Sequence, residues 1–298
     1  MNEPQPGILA PIPSHARYLE FSVVDGGNPA SALRHLASMA IGMDTVVGLG
    51  ATLVQGLGHS IAGLRPFPHI AGPVIEGGSC DIPSTQTDLW FWVRDSDRGR
   101  VIHSARSIMH MLEPAFQCDR IVDGFKYETG LDLTGYEDGT ENPVEDAAYR
   151  AAVVAGAGPD LDGSSFVAVQ QWAHNLDQFE AMTQDERDNV IGRRLSDNEE
   201  LDDAPESAHV KRTAQESFDP EAFVVRRSMP WADSSGEGLM FVAFGHSFDA
   251  FEAQISRMAG HDDAITDGVF SFSHPISGAY FWCPAVSDGK LNLVGVGL

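Results

Sequence analysis

The chain has 298 residues, 43% hydrophobic and 21% charged, the profile of a globular protein long enough for two domains of roughly 150 residues. Its 43 acidic and 19 basic residues give a net charge of −24, which repels phosphate backbones and anionic membranes and argues against nucleic acid and membrane partners. Cys80, Cys118 and Cys283 are too far apart in sequence for a zinc knuckle, a redox dithiol or a thioether cofactor attachment, and are expected to be buried thiols.

The first twenty residues carry several prolines and acidic residues without a continuous apolar core, so they do not read as a signal peptide. Residues 18–24 alternate apolar and polar side chains and predict a strand; 28–39 have helical spacing, with Asn28 as cap and Pro29 in the first turn. The longest apolar stretch, 38–58, is broken by Asp44, Gln55 and glycines, which suits strand and loop better than a membrane span. A soluble, cytoplasmic protein is the expectation. Within that stretch 47–53 opens like a dinucleotide fingerprint, but Leu53 replaces the third glycine and no acidic residue closes a suitable following strand, so a nucleotide site is not expected.

A strand at 88–93 runs into an amphipathic stretch ending near Leu112, and the pattern returns at 238–243, running to about Met258. The strand near Tyr18 is likewise echoed at 165–172, before a helical segment. The expectation is an α+β protein built from a duplicated unit, 1–150 and 151–298, with the small-residue stretch 151–164 as linker. The acidic run 196–207 reads as a solvated loop.

Walker, zincin and serine-elbow motifs are absent. What remains is Gly-Tyr-Glu-Asp-Gly-Thr-Glu-Asn-Pro at 135–143, a turn-rich segment in which glycines beside Asp138 would let backbone approach a flat ligand. His209 follows the acidic run, and a strand-like 223–231 carries Arg226 and Arg227 in apolar surroundings.

In this order, with the closing Ser-Gly-Ala-Tyr-Phe-Trp-Cys-Pro at 277–284, these segments resemble the dye-decolourising (DyP-type) haem peroxidases over nearly the whole chain, closest to the short bacterial intracellular type. The resemblance implies two ferredoxin-like units, each an antiparallel sheet with helices packed on it, the first carrying the distal Asp motif and the second the haem ligand. It implies one non-covalent haem b per chain, hydrogen peroxide and an organic reductant such as a dye or phenol as substrates, and self-association into a homo-oligomer. By position, His209 is implied as the iron ligand, Asp138 and Arg226 as the distal catalytic pair with Arg227 the less favoured arginine, and Asp267 as the acid on the ligand histidine. Leu239 and Phe241 would line the haem pocket, and Arg193 or Arg194 would contact a propionate. Ser228 stands where the family often has Asn, which puts that Asn's help in proton handling in doubt. The chain stops soon after its last predicted strand, so loading into a protein shell is not expected.

The residue types suit the chemistry. A carboxylate on the far ring nitrogen strengthens imidazole as an iron ligand. Peroxide cleavage needs a base that becomes an acid, and a fixed guanidinium stabilises charge growing on the leaving oxygen. Aromatic residues near the site in sequence, Trp231 and Tyr136 among them, are available to relay electrons, with none distinguished. A haem carrier or haem-handling protein with incidental peroxide turnover is the alternative reading.

Overall fold

The computed structural model describes residues 2–75 and 78–298. Eight strands form its frame: β1 (His15–Val23), β2 (Thr45–Leu49), β3 (Leu89–Asp95), β4 (Phe116–Phe125), β5 (Ser165–His174), β6 (Met229–Asp233), β7 (Gly236–Gly245) and β8 (Ala279–Cys283). They neighbour one another in the order β5-β8-β2-β3-β1-β4-β6-β7, and β7 pairs back onto β5, so the sheet closes into a ring. Closure hides strand edges that would otherwise invite pairing with other chains.

Each half of the chain repeats one antiparallel order. The first four strands lie as β2-β3-β1-β4 and the last four as β6-β7-β5-β8, second-third-first-fourth in both. The halves meet at two thin seams, recorded by the single pairs Leu49 with Trp282 and Gly124 with Trp231. Because β4 is joined to its second neighbour only near its end, its beginning has an open edge, and Cys118 is exposed there. This corrects the expectation of three buried thiols; Cys80 and Cys283 are buried.

Strand alternation sorts the core into two sets. Tyr18, Trp90, Trp92, Trp231, Met240, Val242, Phe244 and Phe281 pack with one another on one face of the ring. Leu19, Phe91, Phe166, Tyr280 and Trp282 face the other way, under helices. With both faces covered, β3 opens on an unbroken apolar run, Leu89 to Val93, before Arg94 and Asp95 at its end.

The helices start where side-chain caps allow. Asn28 Oδ1 accepts from Ser31 N at 3.0 Å to open α1 (Pro29–Ser38), and Asp97 Oδ1 accepts from Arg100 N at 2.9 Å to open α2 (Arg98–Leu112). In the apolar stretch 38–58 the structure differs from a plain strand and loop: β2 is followed by a short helix, Ala51–Gly56. The small-residue stretch 151–164 is not a free connector either, since Ala151 and Ala152 end a helix and residues 151–154 are buried.

Two excursions leave the ring. One follows β4, and the other, between β5 and β6, carries α3 (Gln184–Ile191) and α4 (His209–Arg212); α5 (Asp249–Met258) links β7 to β8. Asp132 pins the first excursion to the end of β5, its Oδ1 lying 3.1 Å from His174 Nε2 while Oδ2 accepts from Thr134 N and Oγ1. Burial pushes the Asp132 carboxyl up, but the His174 and Thr134 contacts outweigh it and hold the group below its ordinary value. The stability it supplies is complete above its unfolded pKa near 3.8 and is lost as pH falls through the lower folded value. Asp132→Asn is expected to cost about 1–3 kcal/mol at neutral pH and to flatten the acid-induced loss of stability. Urea unfolding at neutral and acid pH checks this; an unchanged acid dependence would refute it.

Candidate active site

A cavity enclosing about 890 Å³ of non-protein space, counting its mouth, opens on the outer side of the β5–β7 pair. The strands pair Leu239 with Trp172 and Phe241 with Gln170, and all four side chains form one wall because alternate residues share a face. Helix α5 supplies Phe251, Gln254, Ile255 and Met258. Asp138 and Arg226 line the cavity, as do His209 and Thr213, so the two excursions and the ring meet there.

Asp138 and Arg226 form a loose ion pair, Oδ1 to Nη1 3.7 Å, with both side chains mostly buried. Asn142 fixes their relative position from the Asp138 loop: its Oδ1 accepts from Arg226 N at 2.7 Å and its Nδ2 donates to Arg226 O at 3.1 Å. Gly139 lies at φ +78°, and a Cβ there would stand 2.5 Å from Asn142 Nδ2. The glycine is therefore required by the turn and by this clamp, a requirement distinct from the close ligand approach that the sequence suggested. Arg227 turns away, its guanidinium donating to the carbonyls of Arg226 and Leu9. Ser228 lies beside a second, small cavity shared with Asp138 and Leu239, and its buried Oγ has no protein partner among the described residues.

His209 begins α4, with Nδ1 2.8 Å from Oδ2 of Asp267. Asp267 is fully buried and fixed, since Oδ1 accepts from Val269 N at 2.9 Å and its own N donates to Met258 O at 2.9 Å. The acceptor carboxylate assigns the ring proton to Nδ1, which leaves Nε2 as the nitrogen able to ligate. Gly192, at φ +92°, ends α3 and lets α4 approach; a Cβ there would stand 2.3 Å from Val210 Cγ2.

Arg193 and Arg194 do not line this cavity. Arg193 Nη2 donates to Glu141 at 2.8 Å and also to Glu200, and Arg194 pairs with Asp197 and Glu199. The acidic run folds back onto the two arginines and occupies their guanidiniums.

Sequence reasoning overlooked several lining groups. His174 Nδ1 lies 2.6 Å from Ser273 Oγ, completing an Asp132–His174–Ser273 chain in the wall. Gln170 accepts the Trp172 indole proton at 3.3 Å, and its own buried Nε2 has no partner among the described residues. Arg226 Nε is equally without one. Asn142 had only its Asn-Pro turn and His174 only its place at a strand end as a signal, and neither pattern separates a site from an ordinary loop.

A cavity walled by Trp172, Leu239, Phe241 and Phe251, with a carboxylate-backed histidine and orphaned donors at Arg226 and Gln170, fits a flat aromatic cofactor carrying a metal. Comparison with known proteins agrees. Residues 129–288 match the profile of the C-terminal region of Dyp-type peroxidases. The chain is 31% identical over 300 residues to a dye-decolorizing peroxidase of Rhodococcus erythropolis, covering 94% of this chain and 86% of that one. It is 30% identical over 302 residues to another from Mycobacterium tuberculosis, covering 95% and 88%. A solved DypB variant from Rhodococcus jostii RHA1 in complex with haem superimposes with a TM-score of 0.85 at 26% identity, covering 94% of this chain and 96% of that one. The chain belongs to the dye-decolourising (DyP-type) peroxidase family and is a haem-dependent peroxidase.

Proposed function

We propose that His209 Nε2 would hold the iron of one non-covalent haem b per chain, and that Asp138 and Arg226 would handle hydrogen peroxide in the same cavity. The observation that carries this reading is that one cavity is lined both by a histidine tethered to a buried carboxylate and by a carboxylate–guanidinium pair. When bound, haem supplies a redox-active iron that accepts oxidising equivalents from peroxide and passes them on to organic donors such as dyes and phenols.

The chain's residues do the rest. Asp267 holds the His209 Nδ1 proton, orients the ring and increases its donor strength. Asp138 takes a proton from the incoming peroxide and delivers one to the departing oxygen, while Arg226 stabilises the negative charge growing there. At 3.7 Å the two groups leave room to act on a shared substrate without saturating each other. Leu239 and Phe241 keep bulk water and bulky dyes from the reacting atoms. A carrier would have no use for the distal pair, so peroxide chemistry is the favoured role of the site.

The two halves, 1–150 and 151–298, are read as ferredoxin-like units, supported by the strand order they share. A cytoplasmic homo-oligomer completes the proposal. Among the described residues no helix is long and apolar enough to cross a membrane.

His209→Ala is expected to lose haem or its native iron spectrum; an unchanged Soret band would overturn the ligand assignment. Asp138→Asn and Arg226→Leu should keep the haem and slow its reaction with peroxide on the order of 10²-fold or more, read by stopped-flow absorbance. Rates within error of the parent would remove both from the mechanism. Asp267→Asn is expected to raise the ferric–ferrous midpoint potential, because a neutral partner weakens the donor strength of His209; spectroelectrochemistry shows the shift, and an unmoved potential counts against the role of Asp267.

A further inference from the structure

A four-residue helix has little stability of its own, so the place of α4 is set by what its side chains grip. His209 and Arg212 stand three positions apart, neighbours on the helix surface, and both reach the turn that follows α5. There His209 Nδ1 meets Asp267, and Arg212 meets Asp263 in a two-point fork: Nη1 donates to Oδ2 at 2.7 Å and Nη2 to Oδ1 at 2.8 Å. Nη2 also donates at 2.7 Å to the carbonyl of Arg257 in the last turn of α5. The Arg212 side chain is buried, whereas Asp263 reaches the surface. Asp263 shapes the turn as well, since its Oδ1 accepts from Ile265 N at 3.0 Å and Ala264 between them lies at φ +63°, a conformation that a residue with a Cβ seldom adopts unless its surroundings impose it.

We propose that Arg212 is a positioning residue for the iron ligand: its fork onto Asp263 is the second of two attachments between α4 and the turn 259–267, and it fixes the angle at which His209 and Asp267 meet. The inference rests on the reading of His209 as that ligand. One hydrogen bond would let the short helix pivot about it. Two attachments about 4.5 Å apart along the helix axis fix its direction. A planar guanidinium adds orientation, because both of its bonds form only when the carboxylate lies in its plane, whereas a lysine would make a point contact.

The same cation stands at the C-terminal end of α5, where the exposed carbonyls favour positive charge. Since α5 also supplies Phe251 and Met258 to the cavity, the ligand helix, its acid and one wall share a single frame. Neither Arg212 nor Asp263 lines that cavity; both face a surface depression on the other side of α4, so the pair can act on the site only through His209 and Asp267. The Arg212 hydrogen bond and the Ile265 N–H hold the Asp263 carboxyl down to about 2, so the fork stays charged at neutral and mildly acidic pH. The neighbouring cations have other duties. Lys211 donates to the Ala204 carbonyl, and Arg257 stands over the Phe218 ring.

The test is resonance Raman spectroscopy of the ferrous haem-loaded protein, which reads the iron–imidazole stretch, together with the ferric–ferrous midpoint potential from spectroelectrochemistry. In Arg212→Gln the His209–Asp267 hydrogen bond should loosen, so the stretching frequency falls and the potential rises, in the same direction as in Asp267→Asn and by less. Asp263→Asn should give the same shifts, and Asp263→Glu, which keeps a carboxylate, should stay nearer the parent. Arg17→Gln is the control: Arg17 makes an equivalent fork onto Asp123, at 2.6 and 2.8 Å, between two strands of the ring away from the cavity, and its loss should move neither quantity. Parent values in Arg212→Gln or Asp263→Asn, or equal shifts in Arg17→Gln, would overturn the proposal. If Arg212→Gln does not fold, the two Asp263 variants decide. The ligand reading fails separately, if His209→Ala keeps the parent's iron–imidazole band; loss of that band together with parent values in the Arg212 and Asp263 variants sinks only the positioning role.

Discussion

The pairing of β5 with β7 is the constraint on which the site depends. Eight successive residue pairs, from Gly238 with Ala173 to Gly245 with Phe166, lock the register of two strands whose alternate side chains have opposite duties. One set, including Val167, Val169, Met240, Val242 and Phe244, packs into the ring. The other set places Gln170, Trp172, Leu239 and Phe241 in the cavity wall. A slip of one residue would exchange the two sets, turning apolar core residues toward the cavity and the cavity wall into the core. The ring thus gives the cavity a wall whose position does not depend on the loops around it.

Charge is handled differently on the two sides of that cavity. On the His209 side the acid is fully buried and committed: Asp267 spends one oxygen on the imidazole and the other on a backbone N–H. On the Asp138 side the ion pair is open, and an Arg226 nitrogen remains without a protein partner among the described residues. A committed pair suits a ligand that must keep one geometry, whereas an open pair suits groups that must give and take protons as a substrate enters. The protein also carries a large negative charge, yet Asp197, Glu199 and Glu200 of the run 196–207 are tied to Arg193 and Arg194, and none of them lines the cavity.

Much of the frame was legible in the sequence because it depends on short-range patterns. The strands at 18–24, 88–93, 165–172 and 238–243, the cap at Asn28, and the return of the pattern after about half the chain all have local signatures. Ring closure was not legible, since it rests on contacts such as Leu49 with Trp282 between residues far apart in sequence. The same divide runs through the site. Asp138, His209 and Arg226 became candidates through their order along the chain, while Asn142 and His174 are held by partners 84 and 42 residues away, which no local motif encodes. Arg193 and Arg194 show the reverse: the family resemblance implied a propionate contact, whereas their guanidiniums pair with Glu141 and with acids of the run 196–207.

Asp138 and His209 reach the cavity by different routes, and this separates what the fold contributes from what the site contributes. Asp138 sits on an excursion tied to the ring at two points, Asp132 to His174 on β5 and Asn142 to the backbone of Arg226. His209 sits on a four-residue helix whose place is set by close packing against Gly192 and by an acid anchored to the end of α5. Neither group is part of the ring, yet each is one or two contacts from it. Substitutions that loosen either tether therefore change where Asp138 or His209 stands while the sheet stays intact, so in this architecture the cavity lining is more easily altered than the fold.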